Sequence, residues 1–144
     1  MPQFPLKCEV SSEATEGISS TWNAQEGSLP PIVCSIPAEF NGSGEGYSPE
    51  ALFGMATLNC IIAMFKGSTE RFKAHFEKLM GKVNITLDCD SVSHQLFISG
   101  LEITFDIIGA SDSEQIKKLL ETAIKECPIS NSIKSGKTFH INIS

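Results

Sequence analysis

The sequence predicts an α+β protomer, and three patterns carry that expectation. Apolar residues alternate at Val83, Ile85, Leu87 and Cys89, again at Leu101 to Ile107, and again at Phe139, Ile141 and Ile143, as in half-buried strands. Ile116, Leu119, Leu120, Ala123, Ile124 and Cys127 instead form one helical stripe. Between the Ser/Gly-rich N-terminal part and these elements lies a segment, Ala51 to Phe65, that is apolar nearly all round. The 144 residues suffice for one domain with a real core, or for one compact protomer of an oligomer.

Residues 7 to 47 are rich in Ser, Gly, Glu and Pro. Their apolar groups at Ile18 to Trp22 and Ile32 to Ile36 predict short strands, the second entering after Pro30-Pro31. Asn41-Gly42-Ser43-Gly44-Glu45-Gly46 reads as a flexible connector, more in keeping with a plain loop than with a close backbone approach. Ser48-Pro49-Glu50 then opens a helix: Ser48 suits the N-cap, Pro49 the first helical position, and Glu50 the first turn, where negative charge is favoured. Only Thr57, Asn59 and Cys60 interrupt the apolar surface of Ala51 to Phe65, which predicts a helix buried on most sides. A chain this small covers such a helix more easily with a second subunit. Gly67 is expected to end it, and Ser68 to Leu79 to form a second helix through Phe72, His75, Phe76 and Leu79.

Two strands follow. Leu96 and Ile98 are out of phase with Leu101 to Ile107, so Ser99-Gly100 marks a bulge or bend. Gly109 to Asp112 leads into the striped helix, Pro128 ends it, Ser130 to Lys134 allows a further helical turn, and Phe139 to Ile143 closes the chain. The domain thus divides into N-terminal strands at about 7–47, central helices at about 48–80 and a strand-strand-helix-strand part at about 82–144.

The net charge of −6, from 17 acidic against 11 basic residues, gives no electrostatic footprint for nucleic acid. No run approaches a membrane span, since Lys66 interrupts the longest, and the first residues lack the regions of a secretion signal, so no membrane role and a cytoplasmic location are expected. Five cysteines without a CxxC pair argue against a secreted disulfide framework. Three isolated histidines offer no zinc-ligand spacing, and no metal or cofactor is expected.

The chemistry concentrates on two thiols. Cys60 lies within the apolar helix, where burial alone raises a thiol pKa and leaves it inert unless a donor or cation stands nearby. Cys127 ends the other helix stripe, where the macrodipole does not favour a thiolate, so it suits a resolving thiol better than an attacking one. Both also fit the plain role of small buried hydrophobes. Glu50 by itself reads as a helix-start acid. Cys34 and Cys89 read as packing residues, Cys8 as a free thiol near the terminus, and Trp22, His75 and His140 as packing or surface groups.

The stretch Ser48-Pro49-Glu50-Ala51-Leu52-Phe53-Gly54-Met55-Ala56-Thr57-Leu58-Asn59-Cys60 resembles the signature helix of the OsmC/Ohr family, with Pro-Glu at its start and a cysteine ten residues after the Glu. Glu126-Cys127-Pro128-Ile129-Ser130-Asn131 resembles the second signature, and the likeness covers roughly residues 30 to 144. It implies the OsmC-like fold, antiparallel sheets packed around a buried central helix in an intertwined homodimer, with each site composed from both subunits. It further implies a thiol peroxidase. Cys60 matches the cysteine that attacks an organic hydroperoxide or hydrogen peroxide, Cys127 the one that resolves its sulfenic acid to a disulfide, and Glu50 the family's site glutamate. A dithiol or lipoylated protein would restore the thiols. One feature departs from the pattern. Peroxidase members use an N-terminal arginine paired with that glutamate, yet the single arginine here is Arg71, and Lys7 is the only basic residue before Lys66. Lysine lacks the planar fork that grips thiolate and carboxylate together. A non-catalytic or diverged dimer that binds a small hydrophobic ligand is therefore the alternative, and a purely structural dimer a third.

Overall fold

A computed structural model of the chain describes residues 2–144. It divides into two compact units, Met1–Leu52 and Phe53–Ser144.

The first unit is a three-stranded antiparallel sheet of β1 (Val10–Glu13), β2 (Trp22–Glu26) and β3 (Ile32–Cys34), in that order. β3 falls within the predicted Ile32 to Ile36. The strand expected at Ile18 to Trp22 instead begins at Trp22, because Ser20 is tied into a turn with Gly17. β1 is exposed throughout, so no apolar alternation announced it. The glycine connector is not a plain loop. A Cβ on Gly42 would meet the Ile36 carbonyl, and one on Gly46 would meet the backbone of Val33 and Cys34. The segment folds back against β3, where Ser35 Oγ accepts from the Gly46 N–H at 2.9 Å and donates to the Gly46 carbonyl at 3.1 Å. Only residues without a side chain fit that approach.

Helix α1 (Pro49–Arg71) starts as expected, with Ser48 Oγ accepting from the Ala51 N–H at 3.1 Å. It does not stop at Gly67, and no second helix occupies Ser68 to Leu79. α1 ends in a Schellman arrangement: Lys73 takes φ 53°, its N–H donates to Glu70 O, and the Ala74 N–H donates to Thr69 O. A lysine fills the left-handed position where glycine is usual, which hid the stop. Phe76 then tilts against Phe65 at 5.2 Å, and the chain is already in β4 by Lys78.

The second unit contains the rest of α1, β4 (Lys78–Cys89), β5 (Leu96–Ile108), α2 (Ser113–Glu126) and β6 (Gly136–Ile143). β4 and β5 pair antiparallel, and the register skips Ser99 where the alternation changed phase: Thr86 faces Gly100, then Leu87 faces Ile98. β6 pairs with β5 in parallel, so this sheet is mixed where antiparallel sheets were expected. The reason is the helical crossover, since α2 carries the chain back along the sheet before β6 begins. Asp112 caps α2 by accepting from the Gln115 N–H. The core is formed by Ile61 and Phe65 of α1, Leu101, Ile103, Phe105 and Ile107 of β5, and Ile116, Leu120 and Ala123 of α2.

Within one protomer α1 is buried along one face, the expected burial on most sides having been reckoned with a second subunit's help. Gly54, Thr57, Ile61, Phe65 and Thr69 are buried along one face, while Ala56, Asn59 and Ala63 are exposed on the other. By length and apolar composition α1 could cross a membrane, Lys66 notwithstanding, but Ile61 and Phe65 lie wholly inside the protein core. Gly54 sets how closely α1 approaches the sheet, because a Cβ there would fall into the Ile85 side chain and press on Val83. Gly54→Val is therefore expected to cost about 1–3 kcal/mol through overpacking, read as a lower urea midpoint with an unchanged slope.

Candidate functional site

Cys60 projects from the middle of α1, and Cys127 caps the C-terminal end of α2. The second unit brings the two together. The Cys60 thiol is a neighbour of Cys127, and both pack on the same core cluster. Cys60 is half-buried, whereas Cys127 has no exposed surface. The chain past Pro128 turns tightly around the buried sulfur. The Ser130 N–H donates to Cys127 Sγ at 3.3 Å, and the Asn131 N–H donates to the Cys127 carbonyl at 3.0 Å. Ser130 to Ser132 form a single 3-10 turn, within the predicted Ser130 to Lys134.

These surroundings act on Cys127 in opposite directions. Burial pushes its thiol pKa up, and the neighbouring Cys60 thiol adds to the rise; the Ser130 and Ile129 N–H groups pull it down. The net effect is upward, which keeps Cys127 protonated until it is needed. The arrangement can convert two adjacent thiols into a disulfide if one of them is oxidised first.

Glu50 is not brought to the thiols along its own helix. Ten residues of α-helix separate it from Cys60, about 15 Å of axial rise. One of its carboxylate oxygens is buried without a hydrogen-bond partner among the described residues. Arg71 lies on the same helix as Cys60, at its far end, and not on a second helix over Ser68 to Leu79; its guanidinium sits exposed over the Phe72 ring, 5.4 Å from the centroid. Arg71 therefore does not replace the N-terminal arginine within the protomer. Lys7 is exposed in the first unit. Cys34 is fully buried beside β2, Cys89 exposed at the end of β4, and His140 paired with Glu102 at 3.1 Å on the outer face of the mixed sheet. The second unit also holds an open cleft of about 510 Å³ lined by Phe53, Phe97, Ile98 and Lys134 among others. Phe53 shares a helix face with Cys60, two turns away.

Lys137 escaped the reading of the sequence. Its ammonium donates to the Ser130 carbonyl at 2.6 Å and the Ile133 carbonyl at 3.1 Å, gripping the turn that surrounds Cys127. A signal was present: Lys137 has the same parity as Phe139, Ile141 and Ile143, so it is a lysine in the inward phase of a strand.

A family model described as OsmC-like protein matches residues 42–142. No curated protein matches the chain by sequence. Among solved structures, an OsmC-like protein of unknown function from Vibrio cholerae superposes with a TM-score of 0.81 at 14% identity, covering 94% of this chain and 99% of its own. An OsmC-like protein from Mycoplasma pneumoniae gives 0.77 at 16% identity, covering 98% of each chain. An organic hydroperoxide resistance protein OsmC from Legionella pneumophila gives 0.73 at 18% identity and 99% of each. At such identities the structural likeness speaks for the fold, and the sequence match, spanning most of the chain, speaks for the family: this protein belongs to the OsmC-like family.

Proposed function

We propose that the protein is a homodimeric, cytoplasmic thiol peroxidase that reduces organic hydroperoxides, with hydrogen peroxide as a lesser substrate. The observation that carries this reading is the pairing of a half-buried Cys60 with a fully buried Cys127 in one unit. The Cys60 thiolate attacks the outer peroxide oxygen, the O–O bond breaks, and the alkoxide leaves and takes a proton to become the alcohol. Cys60 is left as a sulfenic acid. The Cys127 thiolate then attacks the Cys60 sulfur, forming the disulfide and releasing hydroxide, which is protonated to water. A dithiol or lipoylated protein returns both thiols by exchange. The name of the Legionella relative supports the substrate class, and the open apolar cleft beyond Phe53 suits an alkyl tail.

A second reading has its own observation. Among the described residues no lysine or arginine pairs with Glu50, whose buried oxygen has no partner, which favours a diverged dimer that binds a small hydrophobic ligand. One equivalent of cumene hydroperoxide added to the reduced protein separates the two by mass spectrometry. Loss of two hydrogens with a Cys60–Cys127 linked peptide is expected. Intact thiols with ligand retained in native spectra would instead establish the binding protein, and intact thiols with no ligand a structural dimer.

A further inference from the structure

We propose that Lys137 is a positioning residue for Cys127, holding the turn after Pro128 so that the Ser130 N–H stays on the sulfur that must act as a thiolate. The inference rests on the peroxidase reading for its role in turnover, but the geometry stands without it. β6 places Lys137 opposite Leu101, whose side chain is in the core, a register position where an apolar residue is the default. Lys137 is half-buried there, which costs desolvation of the ammonium unless its hydrogens are used. They go to backbone carbonyls: among the described residues the one ion pair is His140 with Glu102, and Lys137 has no carboxylate.

The two carbonyls belong to the turn whose N–H groups address Cys127. Ser130 makes the link in a single residue, its N–H on the Cys127 sulfur and its C=O on the Lys137 ammonium. The Ser130 carbonyl shares its amide with the Asn131 N–H, so the charged donor strengthens the bond from Asn131 to the Cys127 carbonyl; on the sulfur it acts by fixing the position of Ser130. Ser132 Oγ on the Pro128 carbonyl and Asn131 Nδ2 on the Lys125 carbonyl brace the same turn, but neither carries charge. The titratable groups facing Cys127 are then Cys60 from α1 and, through the turn, Lys137 from β6; its neighbours from β5 and α2 in the core are apolar.

The same bond serves both halves of the cycle. In closure, the Cys127 thiolate attacks the Cys60 sulfenic acid, the S–S bond forms and the S–O bond breaks with loss of hydroxide. In reduction, an external dithiol attacks the more accessible Cys60 sulfur, and the S–S bond breaks with its electrons on Cys127. The second thiol of the reductant then releases Cys60. Closure starts from, and the first step of reduction ends with, negative charge on the sulfur that the Ser130 N–H contacts.

The test uses the reduced full-length chain with cysteine labelled at ¹³Cβ. In Lys137→Met the Cys127 titration midpoint is expected to rise by about one pH unit, the scale of one lost hydrogen bond to a charged group. Lys137→Arg, which restores a charged donor, keeps the wild-type midpoint. No movement in Lys137→Met, or equal movement in both variants, overturns the assignment. This readout needs no peroxide, so it decides the role of Lys137 even if the wild-type protein never forms the disulfide and the peroxidase reading fails. If the disulfide forms, Lys137→Met should slow its closure about tenfold at pH 7 and leave the rate of Cys60 oxidation unchanged. Unchanged closure counts equally against it.

Discussion

Cys60→Ser is expected to lower hydroperoxide consumption by at least about two orders of magnitude, to background, because no other thiol stands where Cys60 does. Cys127, its neighbour, has no exposed surface, and its pKa is held up by burial. Burial disfavours its thiolate and denies it the access that attack on an outside peroxide requires. Cys127→Ser should behave differently. Cys60 then reacts once, consumes one equivalent, and stalls as a sulfenic acid that trapping reagents capture or that further peroxide carries to sulfinic acid. Trapping the sulfenic acid on Cys127 in the unaltered protein would reverse the assignment. Arg71→Ala serves as the control. Its guanidinium rests on Phe72 at the far end of α1, so the rate of Cys60 oxidation should be unchanged.

The sequence was most legible where burial imposes a period. β5 and β6 alternate because their inner faces are the core, and the phase change before Leu101 is the bulge at Ser99. The cap at Ser48 and the end of α2 at Cys127 were also readable, since each uses local chemistry. What escaped depended on neighbours distant in sequence or on an unusual residue in a common role. Lys73 in the left-handed position concealed the end of α1, so a helix was expected where the chain turns and enters β4. Exposed β1 has no apolar pattern to read. The parallel pairing of β6 follows from a crossover whose direction no local motif records. Of the site, the two motif cysteines could be named from their helices. Their mutual approach is a tertiary fact, and so is the grip of Lys137 on the turn between them and β6.

A heterodimer of Cys60→Ser with Glu50→Gln is expected to recover about half the activity of the unaltered dimer, although each parent homodimer is nearly inactive. Ala56, Asn59 and Ala63 face away from the core and lie exposed, a weakly polar surface of small side chains that lets another helix approach closely. An isologous dimer through this face sets two copies of α1 side by side under a two-fold axis. If they run antiparallel and cross near Met55, each Cys60 lies level with Glu50 of the partner subunit, while its own Glu50 remains about 15 Å away along the helix. In the mixed dimer, the Glu50→Gln chain contributes an intact Cys60 and the Cys60→Ser chain an intact Glu50. One of the two sites is therefore complete and the other doubly broken. Purification through two different tags isolates that species, and light scattering should find it at twice the 15.6 kDa of one chain. If Glu50 served the Cys60 of its own chain, both sites in the mixed dimer would be broken and no activity would return. A protein found only as a 15.6 kDa monomer at micromolar concentration would remove the dimer and this arrangement together.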